Sequence, residues 1–237
     1  MESLTYHAVS EQGRRERNED AFLAERIGRF HVFAVADGMG GHAAGDVAST
    51  CAIGQLRTTV ITSAADDPMQ AVLERAFANA NRKIFEYNKK NALNAGTTLT
   101  ALLIDEAGKC VFANVGDSRA SVFDETGIWQ TRDHSLVRHL VDLGLITPDE
   151  AMTHPRKNIL ERALGLQPDV AVDFYPQECS KRTIVLSSDG LHDTIPPERI
   201  RILARAYPPR EAAAALTAEC LRDGGTDNIT VIVIRVS

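Results

Sequence analysis

Acidic residues stand at the ends of apolar runs at four places in the chain, and their type and spacing could support metal chemistry. A single Asp-Gly pair is ordinary turn chemistry. Four acids at the tips of strands that pack in one core would instead meet at one edge and repel one another unless a cation compensates them. Because the donors are oxygens, the pattern predicts hard divalent ions such as Mg²⁺ or Mn²⁺. The acids, each close to glycine, are Asp37, Asp117, Asp189 and Asp227.

The glycine-rich stretch after Asp37 allows a different interpretation. Residues 38–43 follow an apolar run and loosely match the G-x-G-x-x-G/A pattern of dinucleotide sites, which would suit a nicotinamide oxidoreductase. Asp37 argues against this alternative, because it would place a negative charge beside a pyrophosphate at a helix N-terminus. The stretch also lacks the Gly-Lys-Ser/Thr of a phosphate-binding P-loop.

Composition excludes several classes of protein. The chain has 237 residues, a hydrophobic fraction of 44% and a net charge of −6, which allows a sizeable core and argues against nucleic-acid binding. We find no signal-peptide pattern at the start and no apolar run long enough to span a bilayer, so we expect a cytoplasmic protein without a membrane partner. The cysteines show neither zinc nor disulfide-framework spacing, and we expect buried reduced thiols. They are Cys51, Cys110, Cys179 and Cys220.

The elements that must position the acids come in blocks of strands and blocks of helices. This arrangement favours an α+β domain with antiparallel sheets over a doubly wound parallel sheet. We interpret residues 1–237 as one domain, with residues 133–166 as an irregular helical insertion over one end of the sheets. Strands are predicted at 30–36, 97–104, 110–115, 118–123, 170–175, 183–187 and 229–236. Helices are predicted at 43–62, 67–84 and 135–143, and from 147, 196 and 208.

Seven short motifs occur together and in a fixed order. They are Arg15–Asp20, Val35–His42, Gly96–Thr98, Asn114–Arg119, Asp133–Ser135, Ser187–Asp193 and Asp227–Thr230. The set resembles the bacterial type 2C metal-dependent serine/threonine protein phosphatases, the PPM family, over nearly the whole chain. The resemblance implies a four-layer α/β/β/α sandwich of two antiparallel β-sheets flanked by helices, with residues 133–166 as a flap beside the active site.

The resemblance assigns a central pair of metal ions to residues at motif positions. Asp37 would bridge the two ions, with the carbonyl oxygen of Gly38 on one of them. Asp189 and Asp227 would complete the ligands of the other ion. Asp20 would act mainly through metal-bound water.

Further motif positions imply an outer ion and the groups that contact substrate. Asp117 and Asp193 would hold a third, weaker ion. Arg15 would grip the substrate phosphate, and His42 would be the general acid. Glu19 stands where bacterial members often have glutamine, and the extra acid adds negative charge near the site.

The implied activity is hydrolysis of phosphoserine and phosphothreonine in proteins with two or three Mn²⁺ or Mg²⁺ ions. Two ions lower the pKa of a bridging water that attacks phosphorus, so no protein nucleophile is needed. A serine or threonine alkoxide leaves poorly, and a proton from His42 would help by roughly a hundredfold. The expected partners are phosphoproteins, including a cognate bacterial Ser/Thr kinase and its targets. We expect the phosphatase itself to be a monomer. A regulated or inactive signalling module is the other interpretation, against which the complete acid set argues.

Overall fold

The computed structural model describes residues 4–40, 44–125 and 127–237, and within them the chain forms eleven strands and seven helices. The strands are β1 (Leu4–Glu11), β2 (Asp20–Ile27), β3 (Phe30–Met39), β4 (Gly96–Thr97), β5 (Leu99–Ile104), β6 (Lys109–Val115), β7 (Arg119–Phe123), β8 (Ile128–Gln130), β9 (Asp173–Glu178), β10 (Thr183–Ser187) and β11 (Ile229–Val236). The helices are α1 (Gly45–Ile61), α2 (Met69–Asn91), α3 (Leu136–Asp142), α4 (Pro148–Met152), α5 (Asp189–His192), α6 (Pro197–Ala206) and α7 (Pro209–Arg222).

The strands form two sheets, and every pairing between their strands is antiparallel. The first sheet has the order β1-β11-β10-β7-β8, and the second has the order β2-β3-β5-β6-β9, with β4 paired to β3. Alternate residues of a strand point to opposite faces of its sheet. In β3, Phe33 and Val35 therefore enter a core shared with Ile184 and Ile232 of the first sheet. This core joins the two sheets face to face.

The outer faces of both sheets are covered by helices. Val32 and Ala34 of β3 belong to a second core cluster that includes α1 and α2, with Phe77 among its buried side chains. On the other side, Val231 and Val233 of β11 belong to a cluster with α6 and α7. The predicted four-layer α/β/β/α sandwich is confirmed, and the antiparallel pairing offers no parallel sheet to the oxidoreductase alternative.

Residues 133–166, which we call the flap segment, contain the two short helices α3 and α4. Ser135 caps α3 through its side chain, and Thr147 forms a capping box with Glu150 at the start of α4. Such caps satisfy N–H groups that a short helix leaves open. Neither helix has a buried residue, so both lie over the sandwich rather than within its core.

The expectation that all four cysteines are reduced thiols is wrong for one pair. Cys110 and Cys179 form a disulfide, whereas Cys51 and Cys220 are free. Cys110 lies in β6 and Cys179 directly follows β9, which pairs with β6. That pairing brings the two Cα atoms to 6.2 Å, within the range that a disulfide spans.

No described helix has both the length and the apolar character required to cross a membrane.

Candidate metal centre

Asp37 lies near the end of β3, directly opposite Asp20 at the start of β2. Its backbone is fixed by the neighbouring Thr97 and Thr98. The Asp37 N–H donates to Thr98 Oγ1 (2.9 Å), and its carbonyl oxygen accepts from Thr98 N (2.9 Å) and Thr97 Oγ1 (2.9 Å). Because every backbone group of Asp37 is bonded within the sheet edge, its carboxylate is held in a defined place at the strand tip.

Gly38 continues β3 into close contact with the start of α1. A Cβ at Gly38 would lie 2.1 Å from the carbonyl oxygen of Gly45 and 2.7 Å from that of Glu19. The position therefore requires glycine, which lets the strand tip pass beneath the helix. The Gly38 N–H also donates to the Glu19 carbonyl (3.1 Å), so β2 and β3 stay paired up to this point.

Asp20 connects the tips of both sheets through its carboxylate. Oδ2 accepts hydrogen bonds from Ser188 Oγ (2.8 Å), after β10, and from Thr230 Oγ1 (2.7 Å), in β11. Oδ1 is buried and has no hydrogen-bond partner among the described residues. Burial raises the pKa of Asp20 to about 6, although both hydroxyl groups act in the opposite direction.

Asp189 begins α5 and lies beside Asp37. Its Oδ1 is likewise buried without a hydrogen-bond partner in the described structure. Burial, followed by the charges of Asp193 and Asp227, raises the pKa of Asp189 to about 7. Burial also raises the pKa of Asp37 well above its usual value, and the nearby charges of Asp189 and Asp20 add to the rise. These carboxylates carry charge at a real cost unless a cation lies between them.

Asp227 precedes β11 and pairs with Arg15 from the loop after β1. Arg15 Nη2 donates to Asp227 Oδ2 at 2.7 Å, and the Arg15 side chain is largely exposed. The N–H of Asn228 donates to the other carboxylate oxygen of Asp227 (2.8 Å). The pair places the guanidinium group of Arg15 directly beside the acidic centre.

Asn228 holds the loop that carries Arg15, a role that we did not predict. Its Oδ1 accepts from the Glu19 N–H, and its Nδ2 donates to the carbonyl oxygens of Gln12 and Arg17, all at 2.8 Å. Three points of one loop are thus tied to one side chain next to Asp227. The Asp227-Asn228 pair before an apolar strand can be recognised in the sequence. The contacts of the Asn228 amide group cannot, because they depend on the fold.

The structure brings most of the predicted site residues together. A cleft of about 730 Å³ is lined by Arg15, Glu16, Arg17, Glu19, Asp37, Gly38, Asp189, Asp227 and Asn228. A second cavity of about 400 Å³ adjoins Asp117 and Asp193, beside the flap segment. Burial raises the pKa of Asp117, and the charges of Asp189, Asp133 and Asp193 raise it further. His42 lies outside the described residues.

The chemistry of these donors fits a hard divalent cation. The unpartnered oxygens of Asp20 and Asp189 are both carboxylate oxygens, and a buried polar atom without a partner is costly. Mg²⁺ and Mn²⁺ prefer oxygen ligands. Within the described ranges, no group of three or more His, Cys, Asp or Glu side chains is arranged closely enough to hold a metal ion. The acids line an open cleft, and an ion there would relieve their mutual repulsion.

We expect the stability gained on adding Mn²⁺ to increase with pH. Unfolded aspartates lose their protons near pH 4, whereas Asp20 and Asp189 in the metal-free fold keep theirs to about 6 and 7. Raised carboxyl pKa values mean that these groups destabilise the metal-free fold as pH rises from about 4 to 7. The Mn²⁺-bound fold avoids this loss, because the ion compensates the charged carboxylates.

The measurement is the melting temperature with Mn²⁺ minus that with chelator, taken at pH 5.5 and 7.5. Comparing the two samples at each pH cancels the titration of groups remote from the site. We expect the melting-temperature difference to be larger at pH 7.5 than at pH 5.5. In Asp189→Asn this increase with pH should be smaller. Equal differences at the two pH values would contradict the prediction.

Comparison with known proteins identifies the family. The family model described as "Protein phosphatase 2C" matches residues 9–223. The chain is 39% identical to the serine/threonine phosphatase stp of Listeria monocytogenes serotype 4b (strain F2365), covering 95% of this chain and 93% of that protein.

Solved structures agree with the sequence relatives. The serine/threonine phosphatase PstP/Ppp of Mycobacterium tuberculosis superimposes with a TM-score of 0.90 at 35% identity, over 99% of both chains. A structure of the PstP catalytic domain in complex with two manganese ions gives a TM-score of 0.87 at 34% identity, over 100% of this chain and 99% of that one. The resemblance seen in the seven motifs is confirmed. The chain belongs to the protein phosphatase 2C family and is a metal-dependent serine/threonine protein phosphatase.

Proposed function

We propose that the 730 Å³ cleft hydrolyses phosphoserine and phosphothreonine with two Mn²⁺ or Mg²⁺ ions held by Asp37, the Gly38 carbonyl, Asp189 and Asp227. Asp20 is proposed to act on these ions mainly through metal-bound water. The observation that carries the proposal is the buried, unpartnered carboxylate oxygen on each of Asp20 and Asp189, contributed from the tips of the two sheets. Asp117 and Asp193 are proposed to hold a third, weaker ion.

Bound divalent ions supply activation of a water molecule and neutralise charge on the phosphate. The chain supplies position and electrostatics. Asp37 would hold the ions together with its neighbours, because it faces Asp20 across the strand pair and its carboxyl group is within hydrogen-bonding reach of Asp189. The loop held by Asn228 presents Arg15 at the rim, where an incoming phosphate would first meet positive charge.

Arg15 is proposed to bind the substrate phosphate. Its guanidinium contacts Asp227 at 2.7 Å. An ion on Asp227 would take over the compensation of that carboxylate and leave the planar fork free for two phosphate oxygens.

We expect Arg15→Ala to lower kcat/KM for a phosphothreonine peptide by about 10- to 100-fold, mainly through KM. A charged hydrogen bond contributes about 1.5–3 kcal/mol, which corresponds to that range. Steady-state kinetics with saturating Mn²⁺ provide the measurement. Arg14→Ala is the matched control, since Arg14 is an exposed neighbour on the same loop. Similar small effects in both variants would show that Arg15 does not bind the substrate phosphate.

His42 is proposed as the proton donor to the leaving alkoxide, on the strength of its motif position alone. We expect His42→Gln to lower kcat for a phosphothreonine peptide by roughly a hundredfold. The same change should have little effect on p-nitrophenyl phosphate, because p-nitrophenolate leaves without protonation. Equal losses on both substrates would argue for a structural role of His42.

The proposal extends to the setting of the enzyme. Phosphoproteins are its substrates, and we propose that it reverses a cognate bacterial Ser/Thr kinase, that it acts as a cytoplasmic monomer, and that residues 1–237 form one phosphatase domain. Comparison of phosphoproteomes with and without the protein, at matched kinase level, would identify the targets. Unchanged phosphoserine and phosphothreonine occupancy would contradict the kinase-reversing role.

A further inference from the structure

His192 is a buried histidine beside the metal centre to which the proposed chemistry gives no role. It ends α5, the short helix that begins at Asp189, and its side chain is only 6% exposed. It also lines the 400 Å³ cavity that adjoins Asp117 and Asp193. A buried imidazole is costly unless its ring nitrogens have hydrogen-bond partners. The partners of His192 therefore indicate what it does.

Ser187 and the backbone of Asp117 are the two hydrogen-bond partners of His192. Nδ1 lies 2.9 Å from the hydroxyl oxygen of Ser187, the last residue of β10. The second bond joins the imidazole to the Asp117 backbone and raises the pKa of His192, which is the effect of a carbonyl acceptor. Because Nδ1 faces Ser187, this bond uses Nε2. One side chain thus connects β10, α5 and the bend that carries Asp117.

The surroundings of His192 fix the direction of both bonds. Burial lowers the pKa of His192 well below its usual value, and the charge of Arg119 lowers it further. The imidazole is therefore neutral and carries a single N–H. Since a carbonyl oxygen can only accept, the proton lies on Nε2 and is donated to Asp117. Nδ1 then accepts from the Ser187 hydroxyl.

The bend that carries Asp117 lies between β6 and β7 and is fixed on both sides. The Gly116 carbonyl accepts from the His134 N–H (2.9 Å), and the Ser118 carbonyl accepts from Thr100 Oγ1 (2.8 Å). Between these points, the carboxylate of Asp117 is hydrogen-bonded to the backbone of the same residue. The direction of the Asp117 backbone therefore influences the direction of its carboxylate.

Helix α5 carries the acids that Asp117 must face. It begins with Asp189, whose carbonyl oxygen accepts from the Asp193 N–H (2.8 Å) just after the helix. Among the charges around Asp117, that of Asp189 raises the pKa of Asp117 most, and those of Asp133 and Asp193 add to the rise. The spacing between α5 and the bend thus decides how these carboxylates meet, and His192 bridges that spacing.

We propose that His192 is a positioning residue for the outer metal site, whose Nε2–H bond to the Asp117 carbonyl holds Asp117 against α5 so that Asp117 and Asp193 serve one ion. This inference rests on the proposed roles of Asp117 and Asp193. His192 itself is not a ligand, because both of its ring nitrogens are engaged. Groups that orient metal ligands typically contribute about 10- to 100-fold to metal affinity.

Two substitutions separate the two hydrogen bonds of His192. The amide N–H of His192→Gln takes the place of Nε2 and keeps the bond to Asp117. The shorter amide of His192→Asn takes the place of Nδ1 and keeps only the bond to Ser187. Ser187→Ala is the matched control, because it removes the other bond of the same imidazole.

Manganese binding measures the effect without relying on turnover. The signal of free Mn²⁺ in electron paramagnetic resonance gives the number and affinity of bound ions for the wild type and the three variants. We expect the central ions to bind equally in all four proteins. The weaker class should bind about tenfold less tightly in His192→Asn alone, and His192→Gln should restore the wild-type affinity.

Equal affinity of the weaker class in His192→Asn and His192→Gln would overturn the positioning role, since a merely structural imidazole does not distinguish the two amides. A loss of the same size in Ser187→Ala would also overturn it, as would absence of a weaker class from the wild type. Absence of tightly bound Mn²⁺ from the wild type would instead overturn the proposed metal centre. The two failures are therefore distinguishable.

The tautomer of His192 can be tested in the wild-type protein, so this measurement does not depend on how well a variant folds. Imidazole ¹⁵N chemical shifts distinguish a protonated from an unprotonated ring nitrogen, and the His192 signals are those absent from His192→Gln. We expect a neutral ring with the proton on Nε2. A proton on Nδ1 would leave the Asp117 carbonyl without its donor and would overturn the proposal.

Discussion

Asp37→Asn is expected to lower kcat/KM for a phosphothreonine peptide by about 10³-fold or more, a loss of at least about 4 kcal/mol of transition-state stabilisation. The change keeps the shape of the side chain and removes the charge that is proposed to bridge two ions. No other described residue occupies that place opposite Asp20 in the strand register. The central ions should consequently bind more weakly, and added Mn²⁺ should restore only part of the activity.

The same substitution should stabilise the protein when no metal is present. Burial and the surrounding carboxylates raise the pKa of Asp37 well above its usual value, so the charged form is unfavourable in the metal-free fold. Asparagine is neutral at every pH and removes this repulsion. Thermal unfolding in chelator should therefore show a higher melting temperature than the wild type at pH 7.5. Asp66→Asn, on an exposed turn, is the matched control and should change neither quantity. A melting temperature lowered together with activity would indicate that Asp37 is a structural residue.

Gly190→Ala is expected to be the most damaging substitution that leaves every proposed ligand in place. A Cβ at Gly190 would lie 2.0 Å from the carbonyl oxygen of Asn228 and 3.3 Å from the Cβ of Asp227. Because the first contact is with backbone, α5 and the start of β11 must separate. Overpacking of this kind costs about 1–3 kcal/mol or more of unfolding free energy.

The activity of Gly190→Ala should fall by more than the loss of folded protein alone would cause. Asp189 lies on one side of that contact and Asp227 on the other, and a displacement of about 1 Å in a catalytic centre can cost about a hundredfold. Gly54→Ala provides the control, since Gly54 lies within α1 and a Cβ there meets nothing within 4 Å. That change should raise stability by about 0.5–1 kcal/mol through helix propensity. Kinetics and denaturant unfolding of both variants check the prediction. Full activity in a folded Gly190→Ala protein would contradict the close packing of these two loops.

The parts of the fold that were predictable from sequence are those fixed by local apolar patterning. Phe30 to Ala36 alternates between the inter-sheet core and the core beneath α1, and it forms the buried part of β3. The strand continues to Met39 because β4 pairs with its end, a non-local contact that the pattern does not contain. Helix α2 likewise runs to Asn91, beyond the apolar face that stops near Ile84, and Asn88 in this last part bonds to the backbone of Ala95 and Gly165.

The parts that were not predictable depend on pairing between distant segments. The apolar pattern predicts a strand at residues 170–175, whereas β9 is Asp173–Glu178 and includes Pro176. Proline fits there because β9 is an edge strand and needs no inward ladder bond at that residue. The Cys110–Cys179 disulfide was missed for a related reason, since it follows from the register of β6 with β9.

The candidate site shows the same division. The acids could be named because carboxylates beside glycine at strand ends are visible in the chain. The groups that hold them could not be named, because Ser188, Thr230 and Asn228 reach their partners across more than 160 positions in the sequence. Each of these contacts joins residues at the end of one sheet to residues at the end of the other.

The central claim is that these carboxylates work through divalent ions, and the most direct test is phosphate release from a phosphothreonine peptide with counted Mn²⁺. The wild-type protein is freed of metal with chelator, passed into metal-free buffer and titrated with Mn²⁺ while both bound metal and turnover are recorded. The account predicts no turnover without metal and full turnover once two ions are bound per chain, with the same titration of Asp37→Asn reaching only a small fraction of that rate. Turnover that persists in the metal-free protein, or that is unchanged in Asp37→Asn, would contradict it.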